Sequence, residues 1–177
     1  MKTIILFILT INLSMCMSCC SSLFSDEKLS MQRKDYNGDE LRIDGYYYHQ
    51  EENVKYPHTT VMFFYRNGIV LFAGSSFSCN LDTVEMDILN RIEIIKNNKM
   101  NWGLFEIYNS ELVIEEYYDN PPSSALKTMK SFYEINNDTT IIFRRVDHPG
   151  YKDKIHNTMY HFKHFANKLD STNVFIK

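Results

Sequence analysis

Apolar and polar positions alternate in short runs through most of this chain, and each run ends at a polar turn. Residues 41–49 (LRIDGYYYH) and 59–66 (TTVMFFYR) read as strands, and the second leads through Asn67-Gly68 into another apolar run at 69–73. Asn-Gly between two such runs is a strong hairpin signal, because both residues accept positive φ. Residues 102–108 (WGLFEIY) and 111–118 (ELVIEEYY) flank Asn109-Ser110, and residues 131–135 and 139–146 flank Asn136, Asn137 and Asp138. Near the C-terminus, Ile155, Met159, Phe162, Ala166 and Leu169 fit one face of a helix, yet 158–165 (TMYHFKHF) also fits a strand. The strand is preferred, because a meander leaves open edges that need a partner.

One segment has a different period. Val84, Ile88, Leu89, Ile92 and Ile95 recur at helical spacing, and Asp82 with Glu85 makes a capping box that satisfies the first free amides. An amphipathic helix over about 82–97 is expected, covering a sheet face or plugging one end. Residues 120–124 (NPPSS) read as a surface loop. The expected fold is mainly β: an antiparallel up-and-down meander closing into a barrel of about eight strands, with one helix inserted after the third strand. Twelve tyrosines and twelve phenylalanines support strands over helices. The net charge of -3, with both signs interspersed, excludes the basic field that nucleic acid requires.

The first residues concern location. Lys2 precedes an apolar run at 4–13 interrupted by Thr10 and Asn12, which is an export signal and too short to span a bilayer. Cys16, Cys19 and Cys20 crowd its end, and only Cys79 lies in the body. This arrangement resembles a bacterial lipoprotein signal, in which a cysteine after a small residue is acylated and heads the mature chain. Ser18 before Cys19 fits, so the resemblance implies lipidation at Cys19, with Cys16 and Cys20 as fallback positions. A plain secretory peptide is the alternative. The resulting division is a signal at 1–18, a membrane-proximal tether at 19–40 and one domain at 41–177. Cys20 and Cys79 are left either to pair or, in the blander reading, with Cys79 as a small buried hydrophobe.

Five stretches, DGYYY (44–48), FFYRNG (63–68), WGLFEI (102–107), NDTTIIF (137–143) and KLDSTNVFIK (168–177), together resemble a group of small lipocalin-like lipoproteins of Bacteroidota-type bacteria. The resemblance implies a calycin-type barrel with a cavity, lipid-anchored in the cell envelope at the outer membrane. The helix after the third strand departs from the simple lipocalin order, which places the main helix near the C-terminus.

Catalytic signatures are missing: there is no nucleophile turn, phosphate loop or dinucleotide fingerprint. On a strand His161 and His164 face opposite ways, and with His156 they lack the spacing of a zinc site. No enzyme activity, cofactor or metal is therefore expected. Adjacent carboxylates such as Glu51-Glu52 and Glu115-Glu116 also face opposite ways on one strand, so they cannot act as an acid and base pair. One of Glu115 and Glu116 would point into the barrel, and Glu115 is the candidate. Tyr46 and Tyr48 share a face, with Tyr47 on the other. With Phe63, Tyr65, Trp102 and Glu115 they form the candidate ligand-binding set, where rings stack on a ligand and hydroxyls stay hydrogen-bonded. The expected function is a lipid-anchored barrel that binds a small hydrophobic or amphipathic molecule. The alternative is a solid barrel that engages another envelope protein through its outer surface or the 120–124 loop.

Overall fold

A computed structural model describes residues 25–148 and 155–177, in which the chain closes into a barrel of eight antiparallel strands in meander order. The strands are β1 (Gly45–Glu51), β2 (His58–Phe64), β3 (Ile69–Ser76), β4 (Trp102–Tyr108), β5 (Glu111–Tyr118), β6 (Lys127–Asn137), β7 (Thr140–Asp147) and β8 (Thr158–His164). β8 closes on β1 with Tyr47 opposite Phe162 and Gly45 opposite His164, so the C-terminal segment forms the closing strand. The expected signal at 1–18 and the cysteines Cys16, Cys19 and Cys20 lie outside the described residues. Among the described residues no helix is long and apolar enough to cross a membrane.

The turns distribute their strain differently from the sequence expectation. At Asn67-Gly68 only the glycine takes a positive φ, +74°, and its N–H donates to the Tyr65 carbonyl at 3.0 Å. Both residues of Asn109-Ser110 take positive φ, 50° and 65°, which is the pair of conformations that matches strand twist in a two-residue hairpin.

Apolar side chains are buried on both faces of half the barrel. One cluster draws on all eight strands, through Tyr47, Met62, Phe64, Val70, Phe105, Leu112, Ile114, Tyr133, Ile141 and Tyr160, and is the interior. A second cluster draws only on β1 to β4, through residues such as Tyr46, Phe63, Leu71 and Trp102, and packs against helices and the C-terminal segment. It is the outer face of those four strands under its cover. The cover is α1 (Leu81–Asn90) and α2 (Ile92–Lys96), with Val84, Ile88 and Ile95 buried, followed by Leu169 and Ile176. The expected single helix is thus present but broken at Arg91, whose guanidinium pairs with Asp87 at 2.6 Å.

The expected capping box does not form. Asn80 stands before the helix in an extended conformation and accepts from the Thr83 N–H at 3.0 Å. Glu85 turns to the barrel instead, accepting from the Tyr46 hydroxyl at 2.9 Å and pairing with Lys163 at 2.8 Å. An asparagine in place satisfies the end of the helix, and Glu85 is left to join helix to sheet.

The odd-numbered strands finish at one end of the barrel, called the mouth, and the other end is sealed. Tyr36 packs on Phe105 with ring centroids 5.6 Å apart, and Leu41 is 2% exposed beside it. The Tyr47 hydroxyl reaches the same end, donating to the Asp138 carbonyl at 2.6 Å. Lys168 fixes the C-terminal segment there, its amine donating to the carbonyls of Ile43 and Phe64 at 2.5 Å each. Burial pulls this amine down to about 8. The ammonium has three N–H donors and a neutral amine two, so either form serves both carbonyls.

Residues 25–40, expected as a free tether, lie on the barrel. Glu115, 2% exposed on the outer face of β5, accepts from Ser30 N–H at 2.9 Å, the Ser30 hydroxyl at 2.9 Å and Met31 N–H at 2.6 Å. Glu27 accepts from Thr128 N–H, and Asp26 accepts from Leu126 N–H and pairs with Lys99 at 2.8 Å, which holds the Asp26 carboxyl below its ordinary range. Glu115→Ala is expected to cost about 1 kcal/mol, because it leaves part-buried donors at Ser30 and Met31 without their acceptor. Hydrogen exchange would show faster exchange at Ser30 and Met31, and unchanged rates there would contradict this role.

Candidate functional site

The interior is layered along its axis. Around the waist, Tyr47, Phe64, Phe105 and Phe162 pack edge to face, with centroids 5.0 to 5.5 Å apart. Toward the mouth the inward positions change character. Glu116 and Met129 lie opposite each other on β5 and β6, with Phe72, Phe143 and Tyr160 on the neighbouring strands. All five keep part of their surface accessible. These five inward positions near the mouth are called the upper chamber.

Glu116 is the carboxylate of this upper chamber. The Ser131 hydroxyl donates to its Oε1 at 3.2 Å, and burial pushes the carboxyl up to about 7 despite that bond. Its charge bears on Tyr133 and Tyr160, whose ring centroids are 5.9 Å apart. Burial raises both phenols, Tyr133 well above its ordinary value, and the Glu116 charge adds to each effect. His49 stacks near Tyr160 at 5.6 Å, with its Nδ1 3.0 Å from the Met159 carbonyl, so Nδ1 carries the proton and donates. His156 lies tilted on Phe143 at 4.5 Å, its backbone N–H donating to the Arg144 carbonyl. Its Nε2 is buried and has no hydrogen-bond partner among the described residues. These residues therefore set aromatic rings beside one carboxyl raised toward neutrality and one buried imidazole nitrogen with no partner among the described residues.

The six residues expected to bind a ligand sit elsewhere. Tyr46, Tyr48, Phe63, Tyr65 and Trp102 belong to the outer cluster beneath the helices, and Glu115 holds residues 30 and 31. Tyr46, Phe63 and Trp102 are 0% exposed, and the Trp102 Nε1–H donates to the Lys96 carbonyl at 2.9 Å. They join barrel to cover and leave no space between. The lumen-facing side chains are one position away along the chain, at Tyr47, Phe64 and Glu116. On β5 the signal was present: Leu112 and Ile114 mark the inward row, and Glu116 continues it at period two.

Among the described residues Cys79 is a free, half-buried thiol. Its carbonyl accepts from the Gln50 side-chain amide at 2.6 Å. Among the described residues no cluster of histidine, cysteine and carboxylates is placed to hold a metal ion. Compared with known protein families, curated proteins and solved structures, the chain matches none.

Proposed function

We propose that this protein is a lipid-anchored envelope protein, acylated at Cys19, whose barrel binds a small amphipathic molecule in the upper chamber. The supporting observation is a single carboxyl, Glu116, raised to about 7 and set among Tyr133, Tyr160 and Phe143 at the inward positions near the mouth. Apolar walls with one well-placed polar group are the usual form of a small-molecule site. The carboxyl favours a ligand whose polar end carries hydrogen-bond donors, above all an amine. The group works as an anchor for binding, and turnover forms no part of this reading.

Two measurements test the halves separately. Metabolic labelling with a palmitate analogue should mark the wild type and leave Cys19→Ala unmarked; label on both variants would remove Cys19 from the proposal. Native mass spectrometry of protein released from its own membrane should show an added small mass, absent from Ser131→Phe, which fills the space beside Glu116. Equal masses would remove the ligand. The packed waist favours the second reading, a barrel without a ligand that engages an envelope protein, and that result would leave it standing.

A further inference from the structure

The meander places one set of connections together. Residues 52–57 between β1 and β2, the exit from β3, residues 119–126 between β5 and β6, and the entry to β8 all emerge at the mouth. These connections carry large apolar side chains in water. Phe77 is 85% exposed, Ile155 83%, Tyr56 63% and Val54 42%. Each comes from a different part of the sequence or a different side of its loop, and only the barrel brings them to one rim. Away from the rim Tyr108 is 71% exposed at the sealed end, Val174 81% in the C-terminal segment, and Met86 and Ile94 65% and 71% on the helical cover, but these lie apart from one another along separate elements.

The described chain begins at this same rim. Asp26 and Glu27 are fixed to Leu126 and Thr128, where β6 starts, by three hydrogen bonds of 2.8 to 2.9 Å, one from the Glu27 N–H to the Leu126 carbonyl and two from the Leu126 and Thr128 N–H groups to the Asp26 and Glu27 carboxylates. From Ser25 back to Cys19 is six residues, at most about 20 Å even fully extended. An anchor at Cys19 therefore leaves the mouth within reach of the bilayer. The charges around it are of both signs, Glu51, Glu52 and Asp119 against Lys55 and Lys127, so electrostatic attraction to a charged surface is not what the rim offers.

We propose that the mouth of the barrel docks on the lipid bilayer, with Val54, Tyr56, Phe77 and Ile155 entering the interfacial region. Phenylalanine and isoleucine side chains bury there as on an amphipathic helix, and a tyrosine keeps its hydroxyl at the headgroups. This rests on the reading of Cys19 as a lipid anchor. It also gives the upper chamber a direct opening to the membrane, so an amphipathic ligand passes between bilayer and Glu116 without crossing bulk water.

The test uses the full chain in phosphatidylcholine vesicles that contain a brominated phosphatidylcholine. In the Trp102→Phe background, single tryptophans replace Phe77, Ile155 or Tyr108, and circular dichroism verifies that each variant is folded. Quenching at positions 77 and 155 should exceed that at 108 by at least about threefold, because only the rim reaches the acyl boundary. Raised salt should leave the pattern unchanged. Protein that pellets with vesicles yet quenches equally at 77 and 108 overturns the rim contact and leaves the anchor standing. The same pattern surviving Cys19→Ala supports the rim as a membrane contact that holds without the anchor. Protein that fails to pellet overturns both.

Discussion

Trp102→Ala is expected to cost about 3–5 kcal/mol, the upper range for truncating a buried aromatic. Trp102 is fully buried between the outer face of β4 and the helical cover, and its indole N–H satisfies the Lys96 carbonyl at the end of α2. The substitution opens a cavity in the seam and leaves that carbonyl without its partner. A domain of this size holds about 5–15 kcal/mol in total, so much of its stability is at stake. Chemical denaturation should give a much lower midpoint, and Trp102→Phe should recover most of the packing but not the hydrogen bond. A midpoint near wild type for the alanine variant would contradict the two-sided burial of β1 to β4.

Glu116→Gln is expected to change the pH dependence of stability. In the folded chain Glu116 keeps its proton up to about 7, against an ordinary value of 4.5 when unfolded. Between these values the folded state binds more protons, so wild-type stability falls as pH rises through the window and then levels off. The gap corresponds to at most about 3 kcal/mol, less to the extent that water enters the lumen. Glutamine stays neutral and still accepts from the Ser131 hydroxyl. It should remove this slope and leave the variant more stable than wild type at pH 8. Denaturation midpoints at pH 4.5, 6 and 8 would show it, and parallel profiles for the two proteins would contradict a buried, titrating Glu116.

The fold was legible because each hairpin carries its own local evidence. Asn109-Ser110 sits between WGLFEIY and ELVIEEYY, and both the turn and its strands are where period and turn chemistry place them. Which face of a strand looks inward was harder to read. On β1 and β4, Tyr46 and Trp102 are as apolar as Tyr47 and Phe105, because the helices bury the outer face too, and alternation then carries no direction. β5 has no such cover over Glu111 and Val113, and its more apolar row does point to Glu116. The docking of residues 25–40 left no periodic trace, since it depends on acids such as Glu115, Asp26 and Glu27 meeting amides some 84 to 101 positions away. Such pairings are written in the closed barrel and nowhere in the local pattern.

The central claim is that the upper chamber holds an amphipathic ligand through Glu116. Fluorescence titration with dansylcadaverine, an aromatic amine, tests it against its neutral counterpart, N-butyl dansylamide. At pH 8, where Glu116 is ionised, the amine should bind the wild type with a blue shift and about tenfold more tightly than it binds Glu116→Gln. The neutral probe should not distinguish the two proteins, and the preference for the amine should fade by pH 5.5 as Glu116 takes up its proton. No binding of either probe, or equal affinity of the amine for wild type and Glu116→Gln at pH 8, would contradict the claim.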